Sequence, residues 1–102
     1  MTKDNFEKII NRFMAMRRKL NLEIETLVVF SYVEYNIYET WLKTGKLECV
    51  ISSTSLREIV RNKEKLELIK RTLREKGFID YIETSNYSTF YEFGPVFKDL
   101  ID

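Results

Sequence analysis

The chain has no histidine, so it lacks the commonest metal ligand and the usual general base near neutral pH. A lone cysteine, Cys49, excludes an intrachain disulfide and a thiolate zinc cluster and fits a reducing compartment. Three glycines and one proline are too few for a glycine-rich phosphate cradle, so a nucleotide-using enzyme is not expected. No run reaches the roughly 18 apolar residues of a membrane span. The opening Met1-Thr2-Lys3-Asp4 leads into an amphipathic pattern rather than a signal-peptide core. The expectation is a cytoplasmic protein with no cofactor, no metal and no membrane partner. Internal repeats, low-complexity tracts and linkers are lacking too.

What is there, 102 residues with 44% apolar and 32% charged side chains, suits one domain over residues 1–102. Size scaling gives a folded surface of about 6,100 Å² against roughly 17,800 Å² for the extended chain, enough burial for one core. The net charge of +1 neither requires nor forbids a polyanion. Its distribution is uneven: residues 1–20 carry +4, 21–55 carry −3, 56–76 carry +4 and 77–102 carry −4. Positive charge therefore concentrates on residues 1–20 and 56–76, where phosphates would be met; the plain alternative is solvated helix faces with internal pairs such as Glu67 with Arg71.

Apolar spacing predicts a helix over 4–20, with Phe6, Ile9, Ile10, Phe13, Met14 and Leu20 on one face. A second helix over 23–43 is apolar around most of its circumference and is expected to be buried on nearly all sides, if necessary against a second subunit. Glu23 and Glu25 suit its start and Gly45 its end. Residues 47–51 read as a short strand, followed by Ser52-Ser53-Thr54-Ser55. In that run Ser55 with Glu58 matches a capping box. Leu56, Ile59 and Val60 mark a short helix. Asn62 caps the next, in which Asn62, Leu66, Ile69 and Leu73 face inward and which Gly77 ends. Aromatic and β-branched residues on either side of Thr84-Ser85-Asn86-Tyr87-Ser88 predict a hairpin, and Pro95 opens a last helical turn over 95–101.

This order, with Leu73-Arg74-Glu75-Lys76-Gly77-Phe78-Ile79 leading from a helix into a hairpin, resembles the winged helix-turn-helix DNA-binding domains. The likeness covers residues 22–97. The length and the extra N-terminal helix are similar to small dimeric repressors and to the tubulin-linked plasmid and phage partition adaptors (TubR). The resemblance implies an α+β, mainly α fold. Residues 55–61 would be the supporting helix, 63–76 the recognition helix and 80–92 the wing. It implies double-stranded DNA and a second copy of the chain as partners and, for an adaptor, a partition filament protein. The metal-ligating set of the arsenic-sensor repressors is missing.

On that footing the expected DNA contacts are Ser53, Thr54, Ser55, Arg57, Lys63, Lys65, Lys70, Arg71 and Arg74, with Asn86, Tyr87 and Ser88 from the wing. The hydroxyl cluster reads both as a phosphate seat and as plain helix capping. The wing has no Lys or Arg, so its contacts are expected to be weak or to serve a partner. The outer face of the recognition helix carries Glu64, Leu68, Arg71 and Glu75. It reads either as a DNA face with Arg71 toward guanine or as a dimer contact through Leu68. Phe6, Ile10, Phe13, Tyr32, Tyr35 and Leu68 are the expected dimer-interface residues. Aromatic side chains and Cys49 read as packing, and no catalytic constellation is found. The function expected is a homodimeric repressor or centromere-binding adaptor. The alternative is a winged helix turned protein-interaction module, for which the acidic wing argues.

Overall fold

A computed structural model describes residues 1–101. Helix α1 (Lys3–Leu20) leads into α2 (Ile24–Thr44), strand β1 (Glu48–Ser52), helices α3 (Ser53–Ile59) and α4 (Lys63–Glu75), and a hairpin of β2 (Ile79–Glu83) and β3 (Ser88–Phe93). A 3-10 turn (Pro95–Phe97) and a short α5 (Lys98–Ile101) follow. The strands form one antiparallel sheet in the order β1-β3-β2. Mainly helical content with a three-stranded sheet of this order is compatible with a winged-helix-like class. The accessible surface, 6402 Å², is close to the size-scaling expectation.

The local signals work as anticipated except where side chains compete for the same role. Asn62 caps α4 as expected, its Oδ1 accepting from the Lys65 N–H at 3.0 Å, but as a cap it is exposed rather than turned inward. The expected Ser55–Glu58 capping box does not form. The helix starts earlier, where Ser52 Oγ accepts the Ser55 N–H at 3.3 Å and lies 2.9 Å from Ser55 Oγ, so Ser55 belongs to the first turn. Gly77 ends the α4 segment in the left-handed region (φ +81), and Gly94 lies so close to the Gly77 carbonyl that any Cβ there would collide with it.

The core joins α1, α2, α4 and the inner sheet face. Phe13 stacks on Phe30 with centroids 4.0 Å apart and meets Phe78 edge-on at 4.7 Å. Phe6 and Phe13, expected at a dimer interface, are 3% and 0% exposed within one chain. That expectation is corrected: the C-terminal segment covers α1, and the apolar face of α1 is spent on its own fold. Arg12 fixes the docking, with its two guanidinium nitrogens 2.7 and 2.9 Å from the Asp99 carboxylate and a 2.8 Å hydrogen bond donated to the Val96 carbonyl. Helix α2 also departs from expectation. Thr26, Val29, Phe30, Val33 and Ile37 are buried, whereas Ile24, Val28, Tyr35 and Leu42 form an open stripe on the opposite side. No helix among the described residues is long and apolar enough to cross a membrane.

A candidate nucleic-acid groove between α3, α4 and the hairpin

Ser53 begins α3 beside the hairpin tip because strand β1 hands over directly to the helix. The Ser53 N–H donates to the Tyr87 carbonyl at 2.8 Å, and its hydroxyl also reaches that oxygen, at 3.4 Å. The hairpin tip is braced by hydroxyls of its own: Ser88 Oγ lies 2.9 Å from Thr84 Oγ1 and 3.1 Å from Ser85 Oγ. Between these elements and the first turns of α4 runs a groove of about 540 Å³. Eight of the expected DNA contacts line it: Ser53, Thr54, Arg57, Lys63, Lys70, Asn86, Tyr87 and Ser88. Ser55, Lys65, Arg71 and Arg74 lie outside it.

The rim is cationic. Arg57 and Lys63 are exposed, and neither meets a carboxylate within ion-pair distance among the described residues. Arg57 Nε donates to the Arg61 carbonyl at 3.1 Å, which holds the guanidinium near the turn between the two helices. Thr54, Asn86 and Tyr87 are exposed beside them.

The floor is different. Lys70 is only 4% exposed, with Nζ 3.8 Å from Glu67 Oε1 and 3.7 Å from Glu83 Oε1, and 5.0 Å from the centre of the Tyr81 ring. As an expected surface contact for a phosphate it is therefore corrected. Position 70 is four residues past Leu66 and three before Leu73, on the buried stripe of α4. Its stem packs among the aromatics and its charge is spent on two carboxylates. Lys65 is likewise engaged, 2.7 Å from Glu25 and 3.2 Å from Glu23, which raises its ammonium pKa through the Glu25 hydrogen bond first and the Glu23 one second. It ties α4 to the start of α2. The Arg74 guanidinium lies 4.1 Å above the Tyr81 ring, and burial is the main cause of that phenol's raised pKa. Arg71 stays on the exposed face of α4 with Glu64, Leu68 and Glu75, without an ion-pair partner among the described residues; the expected pair with Glu67 does not form, because Glu67 turns to Lys70 instead.

Of the expected interface residues, Tyr35 and Leu68 are exposed, and Ile10 and Tyr32 are half-buried. Cys49 is buried, and burial pushes its thiol up to about 12, out of nucleophilic range. No three Cys, Asp or Glu side chains among the described residues converge as a metal site would require.

The residues that sequence reasoning passed over lie on the outer sheet face. Strand register aligns Val50, Phe90 and Ile82 in one row across the three strands and Glu48, Glu92 and Asp80 in the next. The signal was strand alternation, which separates the two faces but says nothing of which strands become neighbours. No family model matches the chain, and no curated protein or solved structure matches it either.

Proposed function

We propose that the chain is a winged-helix protein that binds double-stranded DNA as a homodimer, at a promoter as a repressor or at a centromere-like array as a partition adaptor. The observation that carries this is the groove itself. Two cations without an ion-pair partner among the described residues, Arg57 and Lys63, line with Thr54, Asn86 and Tyr87 a trough open to solvent, whose two acids, Glu67 and Glu83, are held by Lys70. Phosphates are met by this combination of cationic side chains and neutral hydrogen-bond donors. In this reading Arg71, on the open face of α4, reaches a base edge, and the hairpin tip touches the sugar-phosphate backbone. The protein acts by occupancy in the cytoplasm and performs no catalysis.

Fluorescence anisotropy with a labelled random duplex tests it. Binding at low salt is expected, falling with a log–log slope of about −2 per protomer for the two phosphate-facing cations. Absent binding, or binding insensitive to salt, overturns the reading. Protein-interaction service is the second reading, and the outer sheet face favours it: the carboxylates of Glu48, Glu92 and Asp80, without ion-pair partners among the described residues, lie beside the apolar row of Val50, Phe90 and Ile82. Like charges on adjacent strands cost stability, which a basic partner would relieve.

A further inference from the structure

The open stripe of α2 is unlike the other exposed apolar side chains, which stand apart or in one short row. Ile24 is 58% exposed, Val28 44%, Tyr35 55% and Leu42 56%. With Ser31 and half-buried Tyr38 they alternate at intervals of four and three residues from Ile24 to Leu42, the spacing of a seam that packs on another helix. The opposite side of α2 is already spent on the core; of the seam only Tyr38 leans back onto the chain, edge-on to Phe6 at 4.9 Å, and among the described residues Ile24, Val28, Tyr35 and Leu42 are left open.

We infer that this seam is where a second copy of the chain docks, with the two α2 helices antiparallel about a two-fold axis near position 33. The inference gives a face and a geometry to the homodimer of the proposed function, and rests on that part of it. Three features point to a second copy. Reversing the seam onto itself sets Ile24 against Leu42, Val28 against Tyr38 and Ser31 against Tyr35, so a small side chain faces a large one next to the axis and aliphatic faces aliphatic at the ends. Antiparallel helices also oppose their dipoles favourably.

The flanks also bring opposite charges together. The same register brings the Glu23–Glu25–Lys65 cluster of one chain level with Glu39 and Lys43 of the other copy, three carboxylates with two ammonium groups at each end. The seam spans about 27 Å of helix. Its strip, on the order of 500 Å², is at the upper end of what a monomer leaves bare. It is short of the about 800 Å² that each partner gives to a standard interface. A dimer that dissociates in the micromolar range is therefore expected.

Sedimentation equilibrium between 1 and 100 µM, with far-UV circular dichroism as a check on folding, tests the pairing. The unaltered protein should reach twice the 12.3 kDa chain mass, and Val28→Glu and Tyr35→Glu should each remain at one chain mass with unchanged helix content. Both positions are exposed, so folding should survive. Orientation is read by oxidation of cysteine variants: Ile24→Cys with Leu42→Cys in one chain should link two copies covalently, whereas Val28→Cys alone should not. A monomer at 100 µM, a dimer indifferent to both Glu variants, or linkage through Val28→Cys alone overturns the inference. Duplex binding measured on the same samples separates the two claims. A protein that binds DNA but never pairs through α2 defeats only the seam, and a seam-dependent dimer without DNA affinity defeats only the DNA-binding claim.

Discussion

Lys63 and Lys70 lie two turns apart on α4 and differ in almost everything that decides what a cation can do. Lys63 stands exposed at the groove rim with no carboxylate within ion-pair distance among the described residues, while Lys70 is packed under the hairpin between Glu67 and Glu83 with its stem against Tyr81. The eight positive charges of residues 56–76 look alike in a charge count. Only those whose stems emerge from the fold with no acid in reach contribute field where a polyanion would lie. The lesson is that segmental charge overstates the available charge, here by the amounts spent through Lys65 on α2 and through Lys70 on the hairpin.

The largest effect that would sharpen this contrast is loss of the rim. Arg57→Ala combined with Lys63→Ala should weaken duplex binding about 100-fold at low salt and flatten its salt dependence, as anisotropy titrations would read. Thermal melts should be nearly unchanged, because both side chains are exposed. Equal weakening by the buried cation would break the comparison.

A second test uses the acidic counterpart of Lys70. Glu34 on α2 is half-buried beside Phe6 and Tyr38, with Lys3 and Glu7 on the rim of the same hollow, and burial pushes its carboxyl up to about 7. A carboxyl raised in the folded state binds its proton more tightly there than in the unfolded chain. The penalty is absent below the ordinary value of 4.5, grows as pH rises and is complete above about 7. Stability relative to Glu34→Gln should therefore fall between pH 4.5 and 7.5, by about 2 kcal/mol, in denaturant titrations. A constant difference across that window would show that the group is well solvated.

The smallest expected effect belongs to Lys70 itself. Lys70→Met keeps the apolar contacts to Tyr81 and leaves two carboxylates that both reach water, so stability should change by less than about 1 kcal/mol. Duplex affinity should stay within about two-fold. A ten-fold loss would restore Lys70 as a phosphate contact and undo the distinction drawn from its burial.

Much of the architecture was legible in the chain. The alternation of apolar residues located α1, α2, α4 and the hairpin, and Asn62, Gly45 and Gly77 marked ends, because caps and periodicity are local properties. The serine run was misread by a turn because four neighbouring hydroxyls offer equivalent capping oxygens. Which of them caps depends on where β1 stops pairing with β3. The groove was half legible: its residue types were recognised, but the burial of Lys70 follows from the hairpin closing over α4.

By itself, then, the sequence determined the elements, their order and the chemical types available, since spacing, capping and turn residues act within a few positions. Tertiary structure alone decided which cations remain free, that Phe6 and Phe13 belong to the core, that one stripe of α2 is left bare, and that Val50, Phe90 and Ile82 share a row. Those outcomes depend on which distant segments come to lie against each other, and competition for the same buried surface is settled only when the whole chain has packed.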